Sequence, residues 1–108
     1  MIGTAASLVG IPYKWGGTTP AGFDCSGFTQ YVFAQNGISL PRTTGAQWSV
    51  TRAVSNPQPG DLVFYGVGAS STHMGIYAGN GMMYDSPRAG KSTSLRPLFS
   101  GNYSFRRV

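Results

Sequence analysis

The chain holds one cysteine and one histidine. Cys25 lies in "FDCSGF" and His73 opens "HMGIYAG", and a thiol with an imidazole is the smallest pair that supports covalent nucleophilic catalysis. The thiolate is the reactive form, so the pair works only where something lowers the thiol's pKa. Residues 25–36, "CSGFTQYVFAQN", put Phe28, Tyr31 and Val32 on one face and stop at Gly37, which predicts a helix with Cys25 in its first turn. Unpaired N–H groups and the positive end of the helix macrodipole favour a thiolate there, and a nearby imidazolium favours it further. Each residue also has a plainer reading. A lone cysteine is usually a small buried hydrophobe, and a lone histidine at a strand start is usually a surface or satisfied core residue.

An imidazole used in catalysis needs a third group to hold its ring and tautomer. The acids are Asp24, Asp61 and Asp85. Asp61, in "PGD", reads as turn chemistry, and Asp24 directly before the helix reads as its cap. That leaves Asp85, in "MMYDS", and hairpin parity decides whether it can reach. A two-residue turn at Asn80 and Gly81 would pair Ile76 with Asp85, put Asp85 on the sheet face opposite His73 and remove it from the mechanism. A three-residue loop of Gly79, Asn80 and Gly81, with Gly81 left-handed as a bulge, pairs Ala78 with Met82 and Asp85 with Gly75. Asp85 then shares His73's face, diagonally adjacent. The three-residue loop is expected, because it places glycine where positive φ is most needed.

The elements that must position these groups follow from local pattern. Residues 2–9 have helical spacing and end at Gly10, "PYKWGGTTPAG" reads as a loop, and residues 43–50 hold a short helix or turn. After the breaker cluster "NPQPGD" the pattern changes to strands: "DLVFYG", "HMGIYAG", "MMYDS" and a closing "YSFRRV". Helices first and an antiparallel meander second make an α+β fold. Trp15, Trp48, Phe28 and Tyr31 read as core or cleft wall.

At 108 residues the chain suits one domain with a single core, spanning 1–108. One cysteine cannot close an internal disulfide, and one cysteine with one histidine makes a zinc site a poor fit. The net charge of +5 draws the molecule to polyanions, such as an acidic cell wall. Its basic residues are scattered without a helical stripe, which argues against a nucleic-acid groove reader. No apolar run is long enough to span a membrane. The N-terminal stretch lacks the basic residues of a signal peptide, so work outside the cell would need an export signal beyond this segment.

Five segments in order, "PYKWGG", "FDCSGF", "LPRTT", "PGDLVFY" and "HMGIYAGNGMMYDSP", resemble the NlpC family of papain-like cell-wall cysteine peptidases over about Ile11 to Pro87. The resemblance implies a papain-like fold with the nucleophile Cys25, the base His73 and the orienting residue Asp85. The family more often has His, Asn or Gln at the third position, and a carboxylate there favours imidazolium more strongly than an amide does. By the same resemblance the Tyr13 hydroxyl reaches the site, where it helps the Cys25 N–H stabilise an oxyanion. Asp24 and Ser26 match positions that bind the polar end of a peptidoglycan stem peptide. Arg42 in "LPRTT" lines the groove or holds a loop.

The implied activity is a D,L-endopeptidase acting between D-γ-glutamyl and a diamino acid such as meso-diaminopimelate. It needs no cofactor and is expected of a monomer working outside the cell or at the wall, of bacterial or phage origin. A noncatalytic wall-binding module, or an amidase or acyltransferase on the same scaffold, are the alternatives.

Overall fold

Asp24 starts the helix on which the site depends. In the computed structural model, which describes residues 1–68 and 71–108, its side chain accepts a hydrogen bond from the Gly27 N–H at 2.7 Å. That satisfies one of the unpaired donors at the start of α2, Cys25–Gln35. The other end closes on glycine. Gly37 takes φ +78°, and the N–H groups of Gly37 and Ile38 return to the carbonyls of Ala34 and Phe33 at 3.0 and 2.9 Å, a Schellman arrangement. Between the caps, Phe28, Val32 and Phe33 are buried.

α2 packs on a six-stranded sheet. Its strands are β3 (Arg52–Ala53), β4 (Leu62–Tyr65), β5 (His73–Gly79), β6 (Met82–Asp85), β7 (Ser94–Pro97) and β8 (Tyr103–Arg107), in the order β3-β8-β4-β5-β6-β7 with every pair antiparallel. Alternation along the strands divides the apolar residues between faces. Leu62, Phe64, Met74, Ile76 and Tyr84 join the α2 core, whereas Val63, Tyr65 and Met83 form a second cluster with Tyr77, Leu98 and Phe105. Two further helices, α1 (Ile2–Ser7) and α3 (Thr44–Ser49), complete the α+β fold. No helix among the described residues is long and apolar enough to cross a membrane.

The sheet is not a simple meander. β4 to β7 run in sequence, but the closing strand β8 crosses over to lie between β3 and β4, pairing Phe105 with Val63 and Arg106 with Ala53. Its aromatic residues cover the outer face, where Phe105 meets Tyr77 edge-on with ring centroids 5.0 Å apart. The stretch expected as one loop contains a small hairpin, β1 (Thr18–Thr19) with β2 (Gly22–Phe23). It presses on the start of α2 so closely that a Cβ on Gly27 would lie 1.9 Å from the Gly17 carbonyl oxygen.

The central hairpin differs from its expected form in one respect that matters. Its loop has two residues, not three: Gly79 pairs with Met82, and Asn80 and Gly81 take φ 54° and 72°, as a type I′ turn requires. Asn-Gly is the strongest former of that turn, and its preference prevails over a bulge at Gly81. The bulge lies in β5 instead, at Ala78, where the register shifts between Tyr77 and Gly79. Below it Ile76 pairs with Tyr84, which sets Asp85 against Gly75 as expected. A Cβ on Gly75 would lie 2.9 Å from the Tyr84 carbonyl oxygen and 3.1 Å from the Asp85 Cβ, so glycine keeps this pairing tight.

Candidate active site

Helix α2 presents Cys25 at its first position, half-buried, and strand β5 presents His73 at its own first position. The two side chains are near enough for each to shift the other's pKa. His73 Nε2 lies 2.6 Å from Asp85 Oδ2, which leaves Nδ1 for the sulfur. Cys25, His73 and Asp85 therefore form one connected chain. Asp85 is fully buried, and the His73 side chain retains 14% of its exposure.

The electrostatics follow from burial working against pairing. Burial pushes the Cys25 thiol up, but the hydrogen bond and charge of His73, with help from Thr44 and the Met74 N–H, outweigh it and the thiol's pKa falls. Thr44 Oγ1, at the start of α3, lies 3.9 Å from the sulfur. Burial alone would lower His73, yet Asp85 and Cys25 raise it from 6.5 to about 9. Asp85 would be raised by burial, and His73 and Arg96 bring it below the ordinary carboxylate value. A thiolate, an imidazolium and a carboxylate thus stabilise one another in a mostly buried setting.

Arg96 is the group that sequence reasoning missed. From β7 it donates Nε to Asp85 Oδ1 at 2.9 Å and Nη2 to Oδ2 at 2.6 Å, a two-pronged grip on a carboxylate with no exposure. Its guanidinium also sits over the Phe99 ring at 4.9 Å, and Phe99 stacks on Tyr65 at 3.9 Å. The only available signal was alternation in "SLRP", which puts Arg96 on the face of Ser94, the partner of Asp85. Four residues ending in proline carry too little pattern to be read as a strand.

On the other side of Cys25 a cavity of about 850 Å³ opens, lined by Tyr13, Trp15, Asp24, Ser26 and Arg42 among others. Tyr13, Asp24 and Ser26 are thus gathered around the sulfur. Asp24 serves several partners with its two oxygens: Oδ1 takes the Gly27 N–H and, at 3.3 Å, the Ser26 hydroxyl, while Oδ2 takes Arg42 Nη2 at 2.6 Å. Arg42 also donates Nη1 to Ser26 Oγ at 2.8 Å, so it both lines the groove and binds it together. Tyr13 is pushed above its ordinary pKa by burial, then by the negative charges of Cys25 and Asp24, and stays a hydroxyl donor. Buried Gln47 ties α3 to α2 beneath the floor through the carbonyls of Ser26 and Pro41, both at 3.0 Å. Asp61, set aside as turn chemistry, accepts from the Gln58 N–H at 2.7 Å and pairs with Arg107, away from the cleft.

Similarity to known proteins fits this geometry. The family model described as the NlpC/P60 family matches residues 10–107. A probable endopeptidase p60 of Listeria innocua is 55% identical over 85 residues, covering 77% of this chain and 18% of the relative. A gamma-D-glutamyl-L-lysine dipeptidyl-peptidase of Bacillus cereus is 41% identical over 109 residues, covering 95% of this chain and 32% of the relative. The chain therefore spans a third or less of these relatives. Among solved structures, the NlpC/p60 domain of the peptidoglycan hydrolase SagA superposes with a TM-score of 0.88 at 35% identity, covering 96% of this chain and 93% of that one. With nearly its whole length matched in sequence and in fold, this chain belongs to the NlpC/P60 family.

Proposed function

We propose that residues 1–108 form one catalytic domain, a cysteine-type peptidoglycan endopeptidase that cleaves the amide between D-γ-glutamate and the diamino acid of stem peptides. The observation that carries this reading is Cys25 at a helix start, coupled to His73, which is held by Asp85 at 2.6 Å, beside an open cavity. The Bacillus cereus relative, named for the γ-D-glutamyl-L-lysine bond, supports the choice of bond. Such an activity acts at or outside the bacterial cell surface.

The Cys25 thiolate attacks the γ-carbonyl carbon, and the oxygen takes the negative charge. The Cys25 N–H at the helix start and the Tyr13 hydroxyl are the donors for that oxyanion. His73 gives its Nδ1 proton to the amine nitrogen as the carbon–nitrogen bond breaks, and a thioester remains on Cys25. Water then attacks the thioester carbonyl, His73 takes the water's proton, and the sulfur departs as thiolate. Asp85 holds the imidazole throughout and stays ionised. Asp24, Ser26 and Arg42 form the wall that meets the polar, N-terminal end of the stem peptide.

Purified peptidoglycan digested with the chain, and with Cys25→Ala, tests the reading by mass analysis of the released fragments. The expected products of the chain end in γ-D-glutamate, and Cys25→Ala lowers their rate by at least about 10⁴-fold while binding wall as before. Equal wall binding with no release by either protein would make this a binding module. Cleavage of the amide between sugar and stem peptide, which releases whole stem peptides free of sugar, would make it an amidase.

A further inference from the structure

A second opening lies at His73. A cavity of about 250 Å³ is bounded by His73, Pro87, Arg88, Arg96 and Phe99. It shares Pro87, Arg88 and Arg96 with one of about 430 Å³, whose other walls are Lys91, Ser92 and Ser94. Three cations and two hydroxyls thus line one continuous groove, and no acid does. Arg96 spends Nε and Nη2 on Asp85. Arg88 and Lys91 are exposed and have no acidic side chain to meet. The chain has three acids in all, and Asp24 is paired with Arg42, Asp61 with Arg107, and Asp85 with His73 and Arg96.

The loop carrying these two cations is anchored. The Lys91 N–H donates to the Arg88 carbonyl at 3.0 Å, the Tyr13 N–H to the Lys91 carbonyl at 2.9 Å, and the Thr93 N–H to the Ile11 carbonyl at 2.8 Å. The groove is therefore strapped to the segment that carries Tyr13 into the other cavity. Cys25 lines the first cavity and His73 the second, so the pair stands between them. The proton for the leaving amine comes from His73, which sends the leaving peptide to the side of Arg88 and Lys91.

We infer that this groove is a leaving-side subsite for a carboxylate of the released peptide, borne either by the diamino acid's side chain or by the peptide's C-terminus. The inference rests on the γ-glutamyl reading above. Cations with no internal acid, aimed at the exit path, select for a free acid over its amide through charge-assisted hydrogen bonds.

The test uses L-alanyl-γ-D-glutamyl-meso-diaminopimelate in three forms: both diaminopimelate carboxylates free, only the side-chain one amidated, and only the C-terminal one amidated. kcat/KM is measured on each for the chain, for R88A/K91A and for R88K/K91R. The free acid should be preferred by roughly fivefold, the range of two exposed charge contacts. R88A/K91A should bring that ratio close to one and R88K/K91R should keep it. The carboxylate whose amidation lowers kcat/KM is the one bound. Equal rates on all three peptides, or an unchanged ratio in R88A/K91A, would overturn the subsite and leave the endopeptidase reading standing. No cleavage of any peptide would sink that reading, and the subsite with it.

Discussion

Asp85 serves two cations with one buried carboxylate, and this division sets the behaviour of the proposed base. Burial lowers the His73 pKa, and Asp85, with Cys25, lifts it to about 9, so His73 keeps the proton it donates until pH rises through that value. The basic limb of kcat/KM should therefore lie near 9 in the chain. Asp85→Asn removes the negative charge, lets burial dominate, and should move that limb to lower pH with a rate loss of roughly 10²- to 10⁴-fold. A basic limb unmoved in Asp85→Asn would mean that Asp85 does not set the His73 pKa. Cys25 and His73 were legible as candidates from residue type, Asp85 reached its face through the Ala78 bulge and not the expected loop, and Arg96 was not legible. Its role depends on a strand too short and too polar to announce itself.

At the scale of elements, the start of α2 is held by what glycine omits. A methyl group at position 27 would have to enter space already occupied by the Gly17 carbonyl, so hairpin and helix must part to admit it. Gly27→Ala should cost about 2–3 kcal/mol by this overpacking and lower Tm by roughly 10–20 °C, read by calorimetry. An unchanged Tm would mean that the hairpin shifts freely. The long periodic elements were readable beforehand: α2 lies within a residue of its expected span, and β4 to β6 lie where aromatic and aliphatic runs between breakers put them. β1, β2 and β3, two residues each, have no period to read. The place of β8 beside β4 is a long-range choice made by Phe105 and Val63 across the sheet, which local pattern does not encode.

For the whole molecule, three acids against eight basic residues leave a net charge of +5, with every acid drawn into an ion pair. Asp61 and Asp85 are raised by burial but held below their ordinary value of 3.8 by Arg107, and by His73 with Arg96. Depressed carboxylates contribute stability that is present above 3.8 and lost as pH falls through their folded values. Thermal unfolding should therefore show a Tm that is steady between the ordinary histidine value of 6.5 and 3.8 and drops below 3.8. A Tm that stays level as pH falls further would show that neither pair contributes. The Ala78 bulge has its own consequence for engineering. Residues added at the Asn80–Gly81 tip leave both strands as they are, which makes that tip a natural seat for a tag or reporter. Removing the single residue Ala78 takes the bulge out and leaves Tyr77 against Met83 and Ile76 against Tyr84, so the hairpin becomes regular while His73 and Asp85 stay on one side of the sheet.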